Sequence, residues 1–315
     1  MSRLNSDPLA IQTFALTREF NGLVAVNAID LGIKKGELFS LLGPNGAGKT
    51  TAINMLCCLL KPTSGTASIM GHDIIKEPFK VKELIAVSPQ ETVLSERLNS
   101  WENLSLIGKF HGIGPVELRK RSEELLERVG LLERAKDSVA KFSVGMKRRL
   151  NLIMALVHDP DVLFLDEPTL GLDPQSRRAM WEYIEGLKGK KTILLTTHYM
   201  DEADFLSDRI GIMDGGKIVA LGTSDELKNS VSDRAAMIIS ADNLSAEIIA
   251  GLRTPGRYAE VDEVSGQLRV SGKDVDFREI VDYLHSQGVV VRSAAWEQPT
   301  LEEVFLLITG KELRE

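Results

Sequence analysis

Apolar residues along this chain recur with two periods, and the period changes at identifiable places. IQTFALTREF (11–20) and AVNAIDLGI (25–33) show some alternation of apolar and polar positions and read as hairpin-like segments that open the chain. LFSLL (38–42) is a short apolar run that stops abruptly at GPNGAGKTT. A helical pattern then runs through Leu60 and ends at KPTSG, followed by strand patterns in ASIMGHDI, with a turn, and in LIAVSPQ.

From Ser100 to His158 the spacing becomes helical. SWENLSLIGKFHG sets Leu104, Ile107 and Phe110 on one face, with Ser100 as the expected N-cap. PVELRKRSEELLERVG starts at Pro115 and stops at Gly130, with Leu118, Leu125, Leu126 and Val129 inward. A third helix follows Ser143 and turns Leu150, Ile153, Met154 and Val157 inward. Strand patterns return in VLFLD (162–166) and TILLTTH (192–198), and RIGIM and KIVAL flank the hairpin signal DGG. Strands alternating with helices predict a parallel sheet with crossovers. The block at about 95–160 reads as a helical subdomain inserted into it.

Near residue 230 the pattern resets. AAMIIS reads as strand, LSAEIIAGLR as helix, and YAEVDEV with QLRVSG as a hairpin around Ser265-Gly266. DFREIVDYLHSQG reads as helix, VVVRSAAW as strand and TLEEVFLLITG as a last helix. The order β-α-β-β-α-β predicts a small α+β ferredoxin-like domain. Two domains are therefore expected, 9–230 and 231–315, and the second holds no catalytic constellation.

Composition narrows the partners. A chain of 315 residues suits about two domains. The net charge of −7 argues against nucleic acid, whose binding footprint is basic. The two cysteines, Cys57 and Cys58, are neighbours in an apolar run and close no ordinary disulfide loop, which fits a reducing cytosol. The opening MSRLNSDPLAIQ has no apolar signal core, and the longest uncharged apolar stretch, TAINMLCCLL, falls short of the ~20 residues of a membrane span. The chain is expected to cross no membrane by itself, though it can dock on a protein that does.

The chemistry concentrates in a few places. Gly43-Pro44-Asn45-Gly46-Ala47-Gly48-Lys49-Thr50 fits G-x-x-x-x-G-K-[ST] between a strand and a helix. Glycines let backbone N–H groups wrap phosphates, Lys49 neutralises the β and γ phosphates, and the Thr50 hydroxyl ligates Mg²⁺. VLFLDE places Asp166 at the carboxyl end of a buried strand, where it can hold Mg²⁺ through water, and Glu167 beside it as general base for an attacking water. His198 ends a further strand, at the end where such sheets bind ligand. Gln90, at the junction of sheet and helical insert, offers an amide oxygen for Mg²⁺. Phe20 could stack on an adenine ring, although core packing is the first expectation for it. Ser143 and Gly145, at a helix start in KFSVGMKRRL, make a second anion site. Lys147, Arg148 and Arg149 read as a solvated face, or else as attraction toward a partner's triphosphate. His72, His111, His158 and His285 lack metal-ligand spacing and read as surface or packing residues.

Together GPNGAGKTT, the Gln90 loop, FSVGM, FLDEP, the LGLD loop with Asp173, and TTH resemble the nucleotide-binding subunit of ATP-binding cassette (ABC) transporters over about residues 9–230. The resemblance implies an α/β P-loop NTPase cassette with a mixed sheet core, an antiparallel β subdomain and a helical insert. It implies ATP and Mg²⁺ as ligands, with Gly43 through Thr51 around the phosphates. The family signature reads L-S-G-G-Q and closes over the ATP held by the other subunit's P-loop. Here Ser143 and Gly145 keep the hydroxyl and the N–H, while Val144 and Met146 stand where the family has glycine and glutamine. A homodimer with composite ATP sites is implied, docked on separate membrane permease subunits at the inner face of the cell membrane. The ending EQPTLEEVFLLITG resembles the drug- and antibiotic-export branch. The rival reading is a soluble ABC-type ATPase acting on a non-membrane partner.

Overall fold

The computed structural model describes residues 9–231, 236–242, 244–252, 260–264, 267–271 and 276–310. The chain divides into two compact units between Thr223 and Ser224.

The first unit opens with strands β1 (Leu9–Phe20), β2 (Leu23–Ile29), β3 (Gly32–Lys34) and β4 (Leu38–Leu42), then helix α1 (Lys49–Leu56). Strands β5 (Ser64–Ile69) and β6 (His72–Asp73), helix α2 (Pro78–Leu84) and strand β7 (Ile85–Ser88) follow. Helices α3 (Ser100–Phe110), α4 (Pro115–Arg128) and α5 (Val144–Leu156) form the insert. Strand β8 (Val162–Asp166), α6 (Pro174–Glu185), β9 (Thr192–Thr197), α7 (Met200–Leu206), β10 (Arg209–Asp214) and β11 (Lys217–Gly222) complete the unit.

Two sheets result. β2, β1, β5 and β6 lie side by side, with β3 also on β1, and all of these pairs are antiparallel. Asn21 and Gly22, both at positive φ (47° and 85°), make the tight turn between β1 and β2. The second sheet runs β11-β10-β4-β9-β8-β7, parallel except for the antiparallel edge strand β11. β4, β8 and β9 are buried along their whole length, as strands covered on both faces must be. Phe39 and Phe164 are fully buried on one side with Ile53 and Met55 of α1, and Leu163 and Leu165 meet Trp181 and Ile184 of α6 on the other.

The helical insert has its own core of Leu104, Leu118, Leu126, Leu150 and Ile153. The N-cap of α3 is Asn99, not Ser100. Its side chain accepts from Glu102 N, and the Glu102 carboxylate accepts in turn from Asn99 N, a reciprocal box unavailable one residue later. Ser100 is instead a buried first helical residue.

The second unit holds α8 (Ser224–Asn229), β12 (Ala236–Asp242), α9 (Ala246–Leu252), β13 (Glu260–Val264), β14 (Gln267–Ser271), α10 (Phe277–Ser286), β15 (Val290–Glu297) and α11 (Leu301–Thr309). Its sheet order is β13-β14-β12-β15, antiparallel throughout, which is the ferredoxin-like arrangement. Met237, Ile239, Ile280 and Leu284 form its core. Helix α8 packs on α11 and so belongs to this unit, which puts the division ahead of the expected residue 230. The hairpin turn at Ser265-Gly266 lies outside the described residues.

Candidate active site

The site follows from strand order. β9 lies between β4 and β8, with Thr197 opposite Leu42 and Thr196 opposite Asp166. The carboxyl ends of three parallel neighbours therefore deliver Gly43, Glu167 and His198 side by side. Backbone bonds fix the junctions: Gly43 N donates to Thr197 O (3.2 Å) and Glu167 N to Thr196 O (3.1 Å).

Residues 43–48 wrap between β4 and α1. A Cβ at Gly43 would lie 2.2 Å from Met213 O, so this glycine is demanded by space. Gly48 is demanded twice over, by φ of +105° and by Ala25 O at 2.2 Å from its would-be Cβ. Asn45 and Gly46 are exposed, Pro44 is half-buried, and Ala47 is buried, its carbonyl accepting from Gly216 N (3.0 Å). No side chain caps α1 and no acid stands in its first turn. Its leading amides, from Lys49 through Thr51, thus face outward as donors for an anion.

Lys49 is buried. Its Nζ donates to Gly43 O (2.6 Å) and Pro44 O (3.2 Å), and pairs with Glu167 Oε1 at 3.2 Å. The other oxygen, Glu167 Oε2, lies 2.8 Å from His198 Nδ1. Glu167 sits at φ +49°, a strained angle for a non-glycine residue directly after a strand. Its carboxylate is thus held at the junction of all three strand ends. Asp166 Oδ1 accepts from Thr50 Oγ1 (3.2 Å) and from Thr196 Oγ1.

Behind this layer lies Glu202 on α7, fully buried. Its Oε1 accepts from Thr169 Oγ1 (2.7 Å) and Trp181 Nε1 (2.9 Å). Burial pushes its carboxyl up to about 7 against those bonds, and the nearby Glu167 charge adds to the rise. Asp173 caps α6, its Oδ1 accepting from Ser176 N (3.0 Å), and these Ser176 bonds hold its carboxyl below the ordinary range.

Gln90 is exposed. It stands with Thr50, Asp166, Asn151 and Phe110 on the wall of a groove of about 760 Å³ between the sheet and the insert. Ser143 caps α5, its Oγ accepting from Met146 N (3.2 Å). Gly145 is buried against α6, where a Cβ would lie 3.1 Å from Ser176 Oγ. Val144 is exposed at 59%, whereas Met146 packs on the insert core.

Two expectations fail here. Phe20 is not a core residue: it ends β1 at the Asn21-Gly22 turn, 39% exposed, with the Arg18 guanidinium 4.4 Å over its ring. Nor do Lys147, Arg148 and Arg149 form a solvated face. Lys147 pairs with Glu96, Arg148 donates to Gln90 O, and Arg149 donates to Val129 O (2.7 Å). The helix turns these cations onto loops of their own chain.

The ABC transporter family profile matches residues 26–170, and the profile of the DrrA1-3-like ATP-binding protein C-terminal domain matches 222–309. The chain is 37% identical over 307 residues to the daunorubicin resistance ATP-binding protein DrrA3 of Streptomyces coeruleorubidus, covering 97% of each chain. It is 37% identical over 310 residues to the linearmycin resistance ATP-binding protein LnrL of Bacillus subtilis, covering 97% of this chain and 100% of that one. The chain belongs to the ABC transporter family.

Among solved structures, an ATP-binding subunit of an ABC transporter superposes with a TM-score of 0.65 at 31% identity, over 71% of this chain and 93% of that one. A dimeric ATP-binding cassette in a post-hydrolysis state with ADP and Pi superposes with a TM-score of 0.62 at 28% identity, over 68% and 98%. The protein is thus an ABC ATP-binding subunit and an ATPase. Among the described residues no helix is long and apolar enough to cross a membrane. Sequence reasoning missed Thr196 and Glu202. The hydroxyl pair at the end of TILLTT, where an apolar strand turns polar, could have pointed to the first. Glu202 carries no local signal.

Proposed function

We propose that this ATPase works as a homodimer around two ATP molecules and powers export through permease subunits on separate chains, from the cytoplasmic face of the membrane. The carrying observation is the buried Glu167 carboxylate, shared between Lys49 Nζ at 3.2 Å and His198 Nδ1 at 2.8 Å. A carboxylate in that place is positioned to take a proton from water attacking the γ-phosphorus. The new O–P bond forms as the bond to the bridging oxygen breaks, and ADP leaves with that electron pair. Lys49 neutralises charge on the β and γ phosphates, and the amides of Gly46 through Thr51 donate to their oxygens. His198, held by Glu167 through Nδ1, keeps Nε2 for the γ-phosphate.

The donors near the phosphates are oxygens: Thr50 Oγ1, Asp166 Oδ1 at 3.2 Å from it, and the Gln90 amide on the same groove wall. This hard set fits Mg²⁺, held by few protein ligands and by substrate phosphates. When bound, Mg²⁺ offsets negative charge on the phosphate oxygens. Ser143 and Gly145 serve the partner's ATP with a hydroxyl and an N–H. Phe20, exposed, offers its free face to an adenine.

Two observations support the export partnership. The relatives above are resistance proteins for daunorubicin and linearmycin, so a bulky amphipathic antibiotic is the proposed class of cargo. Helix α3 of the insert also exposes Phe110 at 86%, on the groove wall, and Leu106 at 59%, an apolar surface suited to a permease segment.

The test is Glu167→Gln. Hydrolysis is expected to fall by roughly 10²–10⁴-fold, the worth of a general base, while ATP binding persists. Light scattering should then show an accumulated ATP-bound dimer. Turnover within about a factor of two of the unmodified protein would remove Glu167 from this role.

A further inference from the structure

The segment that carries Gln90 has almost no regular structure of its own. Between β7 and α3, residues 89–98 contain no strand or helix. One face of α5 fastens it. Asn151 Nδ2 donates to Ser88 Oγ (3.0 Å), and Asn151 Oδ1 accepts from Val93 N (3.3 Å). Lys147 Nζ pairs with Glu96, and Arg148 Nη1 donates to the main-chain carbonyl of Gln90. Positions 147, 148 and 151 are spaced i, i+1 and i+4, so the three side chains leave one side of the helix together. The same helix starts at Ser143–Gly145. One rigid element therefore carries the signature at its tip and the grip on Gln90 one turn later.

Arg148 is the member of this set that reaches Gln90 itself. It is half-buried, and burial lowers its guanidinium, with the charges of Asp166 and Glu167 opposing. The cation therefore lies within electrostatic reach of the catalytic carboxylates. A guanidinium suits the task because it is permanently charged and fixed in plane.

We propose that Arg148 is a positioning residue of the ATPase: by holding the Gln90 carbonyl to α5, it sets the Gln90 amide where the metal is liganded and ties that placement to the seating of the signature. This rests on the reading of Gln90 as a metal ligand. Arg148 touches no substrate and works through Gln90. Of the bonds from α5 to this segment, this is the one that would pass a shift of α5 on dimer closure directly to Gln90.

The experiment is a Mn²⁺ titration of the full-length chain saturated with a non-hydrolysable ATP analogue, followed by electron paramagnetic resonance. Arg148→Met is expected to weaken Mn²⁺ binding by about tenfold, the usual cost of losing a group that orients a ligand. Affinity for the analogue without metal should stay unchanged, and Arg148→Lys should recover part of the loss. In a Gln90→Ala background, Arg148→Met should add nothing. Tryptic cleavage at the exposed Arg97, on the held segment, should be faster in Arg148→Met. Mn²⁺ affinity unchanged in Arg148→Met but weakened in Gln90→Ala would overturn the proposal alone. Unchanged affinity in Gln90→Ala would overturn the metal reading and the proposal with it. Independent, additive losses would show that Arg148 does not act through Gln90.

Discussion

His198 Nδ1 lies 2.8 Å from Glu167 Oε2. A carboxylate only accepts, so Nδ1 carries the hydrogen and Nε2 faces away from Glu167. In the proposed mechanism this one bond would orient both groups, Glu167 toward the attacking water and His198 toward the γ-phosphate. His198→Ala removes the bond to Glu167 and, on the proposed mechanism, the donor to phosphate. It is expected to lower kcat by about 10²–10³-fold, as loss of a preorganised transition-state donor does, with little change in KM. Steady-state ATPase kinetics check this, and a KM effect without loss of kcat would contradict it.

Glu202 gives a pH dependence of unusual sign. Its carboxyl is raised from 4.5 to about 7, so between those values the folded chain holds a proton that the unfolded chain has released. Unfolding free energy should therefore fall as pH rises through that window and level off above it. The bonds from Thr169 and Trp181 both end on Oε1, so glutamine can accept them with its amide oxygen. Glu202→Gln should leave stability at pH 4 nearly unchanged and raise it at pH 8 by up to about 3 kcal/mol. Urea midpoints at the two pH values measure the difference. An equal effect at both would show that the proton is not the cause.

If Ser143 serves the partner's ATP, damage there is complemented in trans. Lys49→Ala removes a phosphate contact and Ser143→Arg obstructs closure, so each homodimer should be nearly inactive. A mixed dimer pairs both defects in one composite site and leaves the other intact. Hydrolysis up to about half of the unmodified level is expected if the sites act independently, a consequence of two-fold geometry. A dimer of the two variants with no regained turnover would count against the composite site.

The parts of the site that sequence revealed are those where an apolar strand meets a reactive residue. LFSLL before the glycine loop, VLFLDE and TILLTTH each place their chemistry at a strand's carboxyl end, and strand ends are set by local pattern. Parallel pairing does the rest. The parts that stayed hidden depend on what lies across an element. A basic triplet on a helix shows its face but not the loop that covers it, so Lys147 and Arg148 were misread. Phe20 pairs within a strand yet overhangs a turn, which alternation along β1 does not reveal. Helix α6 went unread although Asp173 followed by Pro174 is a start signal, because its buried face of Met180, Trp181 and Ile184 is short. Glu202 sits in the acidic run MDEAD and is distinguishable only by burial.

The central place of β9 has a consequence for biosynthesis. β4 and β8 are not neighbours; β9 stands between them and hydrogen-bonds to both. On the ribosome the phosphate loop and the Asp166–Glu167 pair emerge well before residues 192–197 do. Until that later strand is released, β4 and β8 have no edge in common, and the proposed nucleotide site stays in two halves. The strand that joins the two halves also carries His198 at its end, so the imidazole proposed to meet the γ-phosphate arrives together with that junction.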